Sequence, residues 1–85
     1  MTLEWQGSTL VITWLPVDAM GRLAAWAPAT RAEHEVLAAL LAGARVCLGR
    51  EALAYRRYRR TAPQGVYRAC VALERRLREM GIGRR

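Results

Sequence analysis

The chain has 85 residues, of which 53% are hydrophobic and 25% charged. That is enough apolar material for one domain, too apolar for a disordered chain and too short for a multi-layer enzyme. The formal net charge is +7, with residues 1–44 at −2 and residues 45–85 at +9, an asymmetry that points to a polyanionic partner for the second half.

The first clear element is a hairpin in "LEWQGSTLVITW". With Gly7-Ser8 as a two-residue type II′ turn, Gln6 faces Thr9, Trp5 faces Leu10 and Leu3 faces Ile12. This register puts Leu3, Trp5, Leu10, Ile12 and Trp14 on one side and Glu4, Gln6, Thr9 and Thr13 on the other, with Val11 as the exception. A lone hairpin is marginal in water, so the apolar side is expected to cover something, and the three tryptophans, Trp5, Trp14 and Trp26, are expected to fill the core. Residues 16–29 admit either a third short strand or a helical turn before Pro28. Strand is the reading taken here.

From Thr30 the pattern is helical. "TRAEHEVLAALLAG" opens with a capping box, Thr30 as N-cap and Glu33 reaching back, places Val36, Leu37, Leu40 and Leu41 on one face, and stops at Gly43. A second helix is expected from Arg50 to about Arg60, with Gly49 as N-cap, Leu53 as its core anchor and "YRRYRR" too charged to bury. A third opens at "TAPQ", with Thr61 as N-cap and Pro63 in its first turn. Val66, Cys70, Leu73, Leu77 and Met80 then form one stripe that ends at Gly81.

Residues 30–82 resemble the winged helix-turn-helix effector domain of response regulators of the OmpR/PhoB type. "TRAEHEVLAALLAGARV" matches that family's first helix and link, "GREAL" the start of its second helix, and "LERRLREMGI" the end of its basic recognition helix. The resemblance implies an α+β fold, an N-terminal β-hairpin followed by a three-helix helix-turn-helix bundle. It also implies double-stranded DNA as the partner. The chain departs from the family in lacking the receiver domain and, after Ile82, the C-terminal wing, and in carrying Val71 and Ala72 where polar or basic residues usually face the groove. On this reading residues 1–85 are a single winged-helix-like domain: a β-rich part over 1–29, three helices over 30–82 and a basic tail over 83–85.

The side of the third helix opposite its apolar stripe carries Gln64, Arg68, Val71, Ala72, Arg75 and Arg78, with Tyr67 beside them. As a recognition surface it gives Gln64, Arg68 and Arg75 to base edges, Val71 and Ala72 to thymine methyls, and the remaining arginines to phosphates. Arg56, Arg57, Arg59 and Arg60 would clamp the backbone, more cations than a helix terminus needs, and Arg84 and Arg85 would either take over the charge of the wing or form a frayed tail. All 14 cations are arginine, whose planar fork suits phosphate and guanine. A GC-rich coding sequence accounts for the absence of lysine but not for this clustering.

No enzyme, cofactor or metal site is expected. His34 has no second ligand one turn away, no nucleophile has a base, and no Gly-rich phosphate loop is present. Cys47 and Cys70 lack metal-ligand spacing and read as small core residues. No basic leader precedes an apolar run, and no stretch reaches the roughly 18 apolar residues of a membrane span, so a cytoplasmic protein is expected. The leading functional reading is a small DNA-binding transcriptional regulator, with a homodimer reading paired half-sites. The alternative is an interaction module on the same frame, such as a phage-type inhibitor or adaptor that binds an acidic protein surface.

Overall fold

A computed structural model describes residues 1–85. The chain forms β1 (Thr2–Gln6), β2 (Thr9–Trp14), α1 (Val17–Ala24), α2 (Arg31–Leu41), β3 (Arg45–Leu48), a 3₁₀ helix (Ala54–Tyr58), α3 (Gln64–Glu79) and β4 (Ile82–Arg84). The class is α+β. One four-stranded sheet, ordered β1-β2-β3-β4, pairs β1 with β2 antiparallel and β2 with β3 and β3 with β4 parallel.

The hairpin has the expected register, Gln6 opposite Thr9, Trp5 opposite Leu10 and Leu3 opposite Ile12. Gly7 supplies the left-handed backbone of the turn at φ 63°, which residues with a Cβ reach only at a cost. Along the sheet Leu10, Val46 and Ile82 are neighbours, as are Ile12 and Leu48. These five side chains share one core with Met20, Leu23, Val36, Leu37, Cys70 and Leu77 of the three α-helices. Leu77 is fully buried, and truncating such a residue costs about 2 to 5 kcal/mol.

Several expectations give way here. Residues 17–24 are helix, not strand: Ala19, Met20, Leu23 and Ala24 recur at helical spacing and are buried, and Asp18 pairs with Arg22 one turn on at 3.5 Å. The link after α2 holds β3, and the helix expected over 50–60 is only the short 3₁₀ helix, because residues 49–53 turn back from β3 to lay Leu53 beside Leu15. The two parallel connections that result are not part of the three-helix bundle expected from the sequence. Tyr55 of "YRRYRR" is buried, its ring 5.3 Å from that of Tyr67. α3 starts at Gln64 with Pro63 as N-cap, and Val66 is exposed on its first turn, so Tyr67 rather than Val66 joins the core stripe. Residues 82–84 are a strand rather than a basic tail, reached through Gly81 at φ 107°.

Trp5 and Trp26 do not fill the core; each is about half exposed, at 49% and 47%. Trp5 lies on the edge strand β1 and donates its Nε1–H to Glu35 Oε2 at 2.8 Å. Trp26 takes the left-handed position just past α1, at φ 57°, where its N–H bonds Leu23 O and the Ala27 N–H bonds Arg22 O. A residue that closes a helix in this way is held at its end, away from its packed face. Trp14 is half-buried. Cys47 and Cys70 are buried and free, as expected, and Val11 is buried with Cys47 on the sheet face opposite the helices.

Thr30 caps α2 as expected, its Oγ1 accepting from the Glu33 N–H at 3.2 Å, while Glu33 Oε1 accepts from the Ala29 N–H at 2.9 Å. Both Glu33 oxygens also accept from Arg22, from Nε at 2.8 Å and from Nη2 at 2.7 Å. This fork joins α1 to α2. It raises the Arg22 guanidinium and, with the Ala29 N–H, outweighs burial to hold the Glu33 carboxyl down at about 2. No helix is long and apolar enough to cross a membrane.

Candidate nucleic-acid interface

Because β2, β3 and β4 run parallel, their carboxyl ends open on the same side of the molecule, the position at which open α/β sheets commonly present ligand sites. Leu15, the turn 49–53 and the 3₁₀ helix meet there. Leu15 donates its N–H to Ala52 O at 2.7 Å and accepts from the Ala54 N–H at 3.1 Å. This fixes the 3₁₀ helix against the strand ends, and Arg56 and Arg57 with it.

Glu74 of α3 organises the next part of the surface. Its side chain is only 8% exposed, yet it lies among arginines. Oε2 accepts from Arg78 Nη2 at 2.6 Å, from Arg84 Nη2 at 3.4 Å and from Arg56 Nη2 at 3.4 Å, and Oε1 accepts from the Tyr55 hydroxyl. Burial alone would raise this carboxyl. The Tyr55 hydroxyl, Arg78 and Arg56 outweigh it and hold Glu74 below its ordinary value. Tyr55 is raised, by burial first and by the adjoining carboxylate second, and Arg56 is raised by the neighbouring Tyr55 oxygen and by the charge of Glu74. One carboxylate thus orients three guanidinium groups that remain 42% to 58% exposed. Each keeps N–H donors free for another acceptor.

Three adjoining concavities make this surface continuous. The first, around Glu74, is lined by Tyr55, Arg56, Val71, Arg75, Arg78 and Arg84. The second, between the ends of β3 and β4, shares Arg56 and Arg84 with it and adds Arg50, Glu51 and Arg85. The third runs on past Arg50 and Arg56 to Arg57 and Trp14, where the Arg57 guanidinium carbon stands 4.7 Å from the indole centroid. Seven arginines and two glutamates line the three together.

No family model, curated protein or solved structure matches the chain.

Among the residues expected at an interface, Arg56, Arg57, Val71, Arg75, Arg78, Arg84 and Arg85 come together here. Gln64, Arg68 and Ala72 are exposed on the outward face of α3, and Arg59 and Arg60 on the turn before it. Tyr67 is half-buried against Tyr55 and supports the site from within. Arg50, Tyr55, Trp14 and Glu74 are not among the interface residues expected from the sequence. Glu74 carried a readable signal, since it lies four residues after Cys70 and three before Leu77, on the side of α3 that both bury. The available chemistry is electrostatic and hydrogen-bonding: an array of permanently charged, partly preoriented forks.

Proposed function

We propose that this protein is a small nucleic-acid-binding regulator that engages double-stranded DNA through α3 and the arginine surface at the carboxyl ends of the parallel strands. The supporting observation is the continuity of that surface, on which seven arginines meet only Glu51 and Glu74 as opposing charges. In this reading α3 acts as the recognition helix of a winged-helix-like domain. Its outward residues Gln64, Arg68, Val71, Ala72 and Arg75 meet base edges, and Arg56, Arg57, Arg59, Arg60, Arg78, Arg84 and Arg85 hold phosphates. A module of this size presents a small contact area, and a homodimer on paired half-sites supplies the remaining affinity.

Selection from a randomised duplex pool near physiological ionic strength tests the reading, because non-specific contacts are weak there, with Kd about 10⁻⁴ to 10⁻⁶ M. An enriched sequence supports it, and a palindromic one reports the dimer. A pool that stays unenriched removes the sequence-reading role.

The exposed indoles of Trp5 and Trp26 favour a second reading, an interaction module for a protein partner. Both lie in the half of the chain with net charge −2, outside the arginine surface. Co-purification of one stoichiometric protein, unaffected by nuclease and lost in Trp5→Ser, supports that reading.

A further inference from the structure

The concavity between the ends of β3 and β4 differs from the rest of the basic surface. Arg50, Arg56, Arg84 and Arg85 line it against a single carboxylate, Glu51. The backbone contributes as well. Glu51 is held at φ 56°, in a turn fixed by the Gly49 N–H on Ile12 O at 2.9 Å and the Ala52 N–H on Gly49 O at 3.3 Å, while the N–H groups of Arg50 and Glu51 have no protein acceptor. Adjacent unpaired N–H groups beside a left-handed residue are a common setting for an oxyanion.

We propose that this concavity receives the terminal phosphate monoester of a nucleic-acid strand. The inference rests on the nucleic-acid reading above and adds which group of the ligand enters the molecule here. Counting Glu74, which pairs with Arg56 and Arg84 from behind, as well as Glu51, the four arginines keep a local excess of two positive charges, which matches a dianion better than the single charge of an internal phosphodiester. A monoester carries about −1.5 to −2 at neutral pH and offers three acceptor oxygens. An internal phosphate also continues as chain on both sides and needs an open track. Arg68, Arg75 and Arg78 are exposed along α3, whereas the strand-end concavity is bounded by the turn 49–53 on one side and by Arg84 and Arg85 on the other. Arg56 and Arg84 are already oriented by Glu74, so less side-chain freedom is lost when the phosphate binds.

The test compares one short duplex in three forms, phosphorylated at its 5′ ends, at its 3′ ends, or at neither, titrated with the full chain near physiological ionic strength. One phosphorylated form is expected to bind about tenfold more tightly than the hydroxyl form, the gain of one or two charge-assisted hydrogen bonds. Arg50→Gln and Arg85→Gln alter exposed side chains that have no ion pair. Each is expected to lose most of that preference. Arg50→Gln removes none of the proposed backbone-phosphate contacts and should weaken the hydroxyl duplex only about twofold, as removal of one long-range charge would. Arg85→Gln also loses its backbone contact and weakens all forms further. Arg68→Gln, on the outward face of α3, is expected to weaken all three forms equally and keep the preference. Equal binding of the three forms by the unaltered chain overturns the proposal and leaves the nucleic-acid reading standing. A preference that survives both Arg50→Gln and Arg85→Gln overturns its assignment to this concavity. Absence of binding to every form overturns the nucleic-acid reading and this inference together.

Discussion

Arg78 Nη2 lies 2.6 Å from Oε2 of Glu74, one turn earlier on the same helix, and the carboxylate that it holds is also approached by Arg56 and Arg84. Glu74 therefore competes with any outside anion for three guanidinium groups. It preorients them and neutralises part of their charge. Which effect dominates follows from exposure: arginines about half in water keep their solvation without Glu74, so the neutralisation is the larger loss to a polyanion.

Glu74→Gln is accordingly expected to bind duplex DNA roughly threefold to tenfold more tightly at low salt, with a steeper fall in affinity as salt rises. The same change weakens the bonds from Tyr55 and Arg78 and lowers stability by about 1 to 3 kcal/mol. Denaturant unfolding together with a salt series of binding titrations reads both effects. A folded variant with unchanged or weaker DNA affinity would show that orientation outweighs charge.

The fork between Arg22 and Glu33 predicts an acid transition. With the Glu33 carboxyl held at about 2, the folded state keeps its proton off where the unfolded chain, near the ordinary value of 4.5, already takes it up. The stabilisation is complete above the ordinary value and is lost as pH falls from there toward about 2. Glu33→Gln should flatten this part of the curve of melting temperature against pH and cost about 2 to 3 kcal/mol at neutral pH, less than for a fully buried pair because Arg22 keeps some contact with water. An unchanged acid limb in the variant would assign the transition to other carboxylates, with Glu74 the next to examine.

The sequence was most legible where one local rule decided the structure. Gly7-Ser8 and the alternation around it set the hairpin register, and Thr30 with Glu33 set the start of α2, because turn chemistry and capping act within a few residues. β3 was not legible: "RVCL" is a short apolar run with no alternation, and its identity as a strand comes from pairing with β2 and β4, far off in sequence. α1 was obscured by Pro16, which reads as a stop after β2 and in fact stands as the N-cap of the next helix. In the candidate site the arginines were visible as composition and helical spacing. Their convergence was not, since it depends on parallel strands that bring Arg50, Arg56 and Arg84 to the same end of the sheet.

Tyr55→Phe separates the two roles of the buried tyrosine. The ring contact with Tyr67 at 5.3 Å remains, and the hydroxyl bond to Glu74 is lost. A hydrogen bond to a charged group contributes about 1.5 to 3 kcal/mol, so a loss near the lower end is expected at neutral pH. Burial and the neighbouring carboxylate raise the Tyr55 hydroxyl above its ordinary 10, so the native chain holds that proton longer than the unfolded one does. The corresponding stabilisation is complete below about pH 10 and is lost as pH rises beyond the raised value. The Phe variant should lack this alkaline decline, and ultraviolet titration of tyrosinate against unfolding would reveal it. A Phe variant that declines with the same profile would remove Tyr55 as the cause.

Arg68 and Arg59 distinguish reading of bases from attachment to phosphates. Both are exposed and make no ion pair, Arg68 on the outward face of α3 and Arg59 on the turn before it. Folding should therefore be nearly unaffected by Arg68→Ala or Arg59→Ala, within about 0.5 kcal/mol. On a selected DNA site, Arg68→Ala should cost about 1 to 3 kcal/mol and relax the preference at one base pair, because a fork on a base edge is lost. Arg59→Ala should weaken all sequences alike and reduce the slope of log K against log salt by about 0.9, the signature of one phosphate contact. Parallel titrations of both variants on matched and single-mismatch duplexes measure these quantities. If Arg68→Ala weakens every duplex equally and shifts the salt slope as Arg59→Ala does, α3 lies along the backbone and base recognition by that helix is excluded.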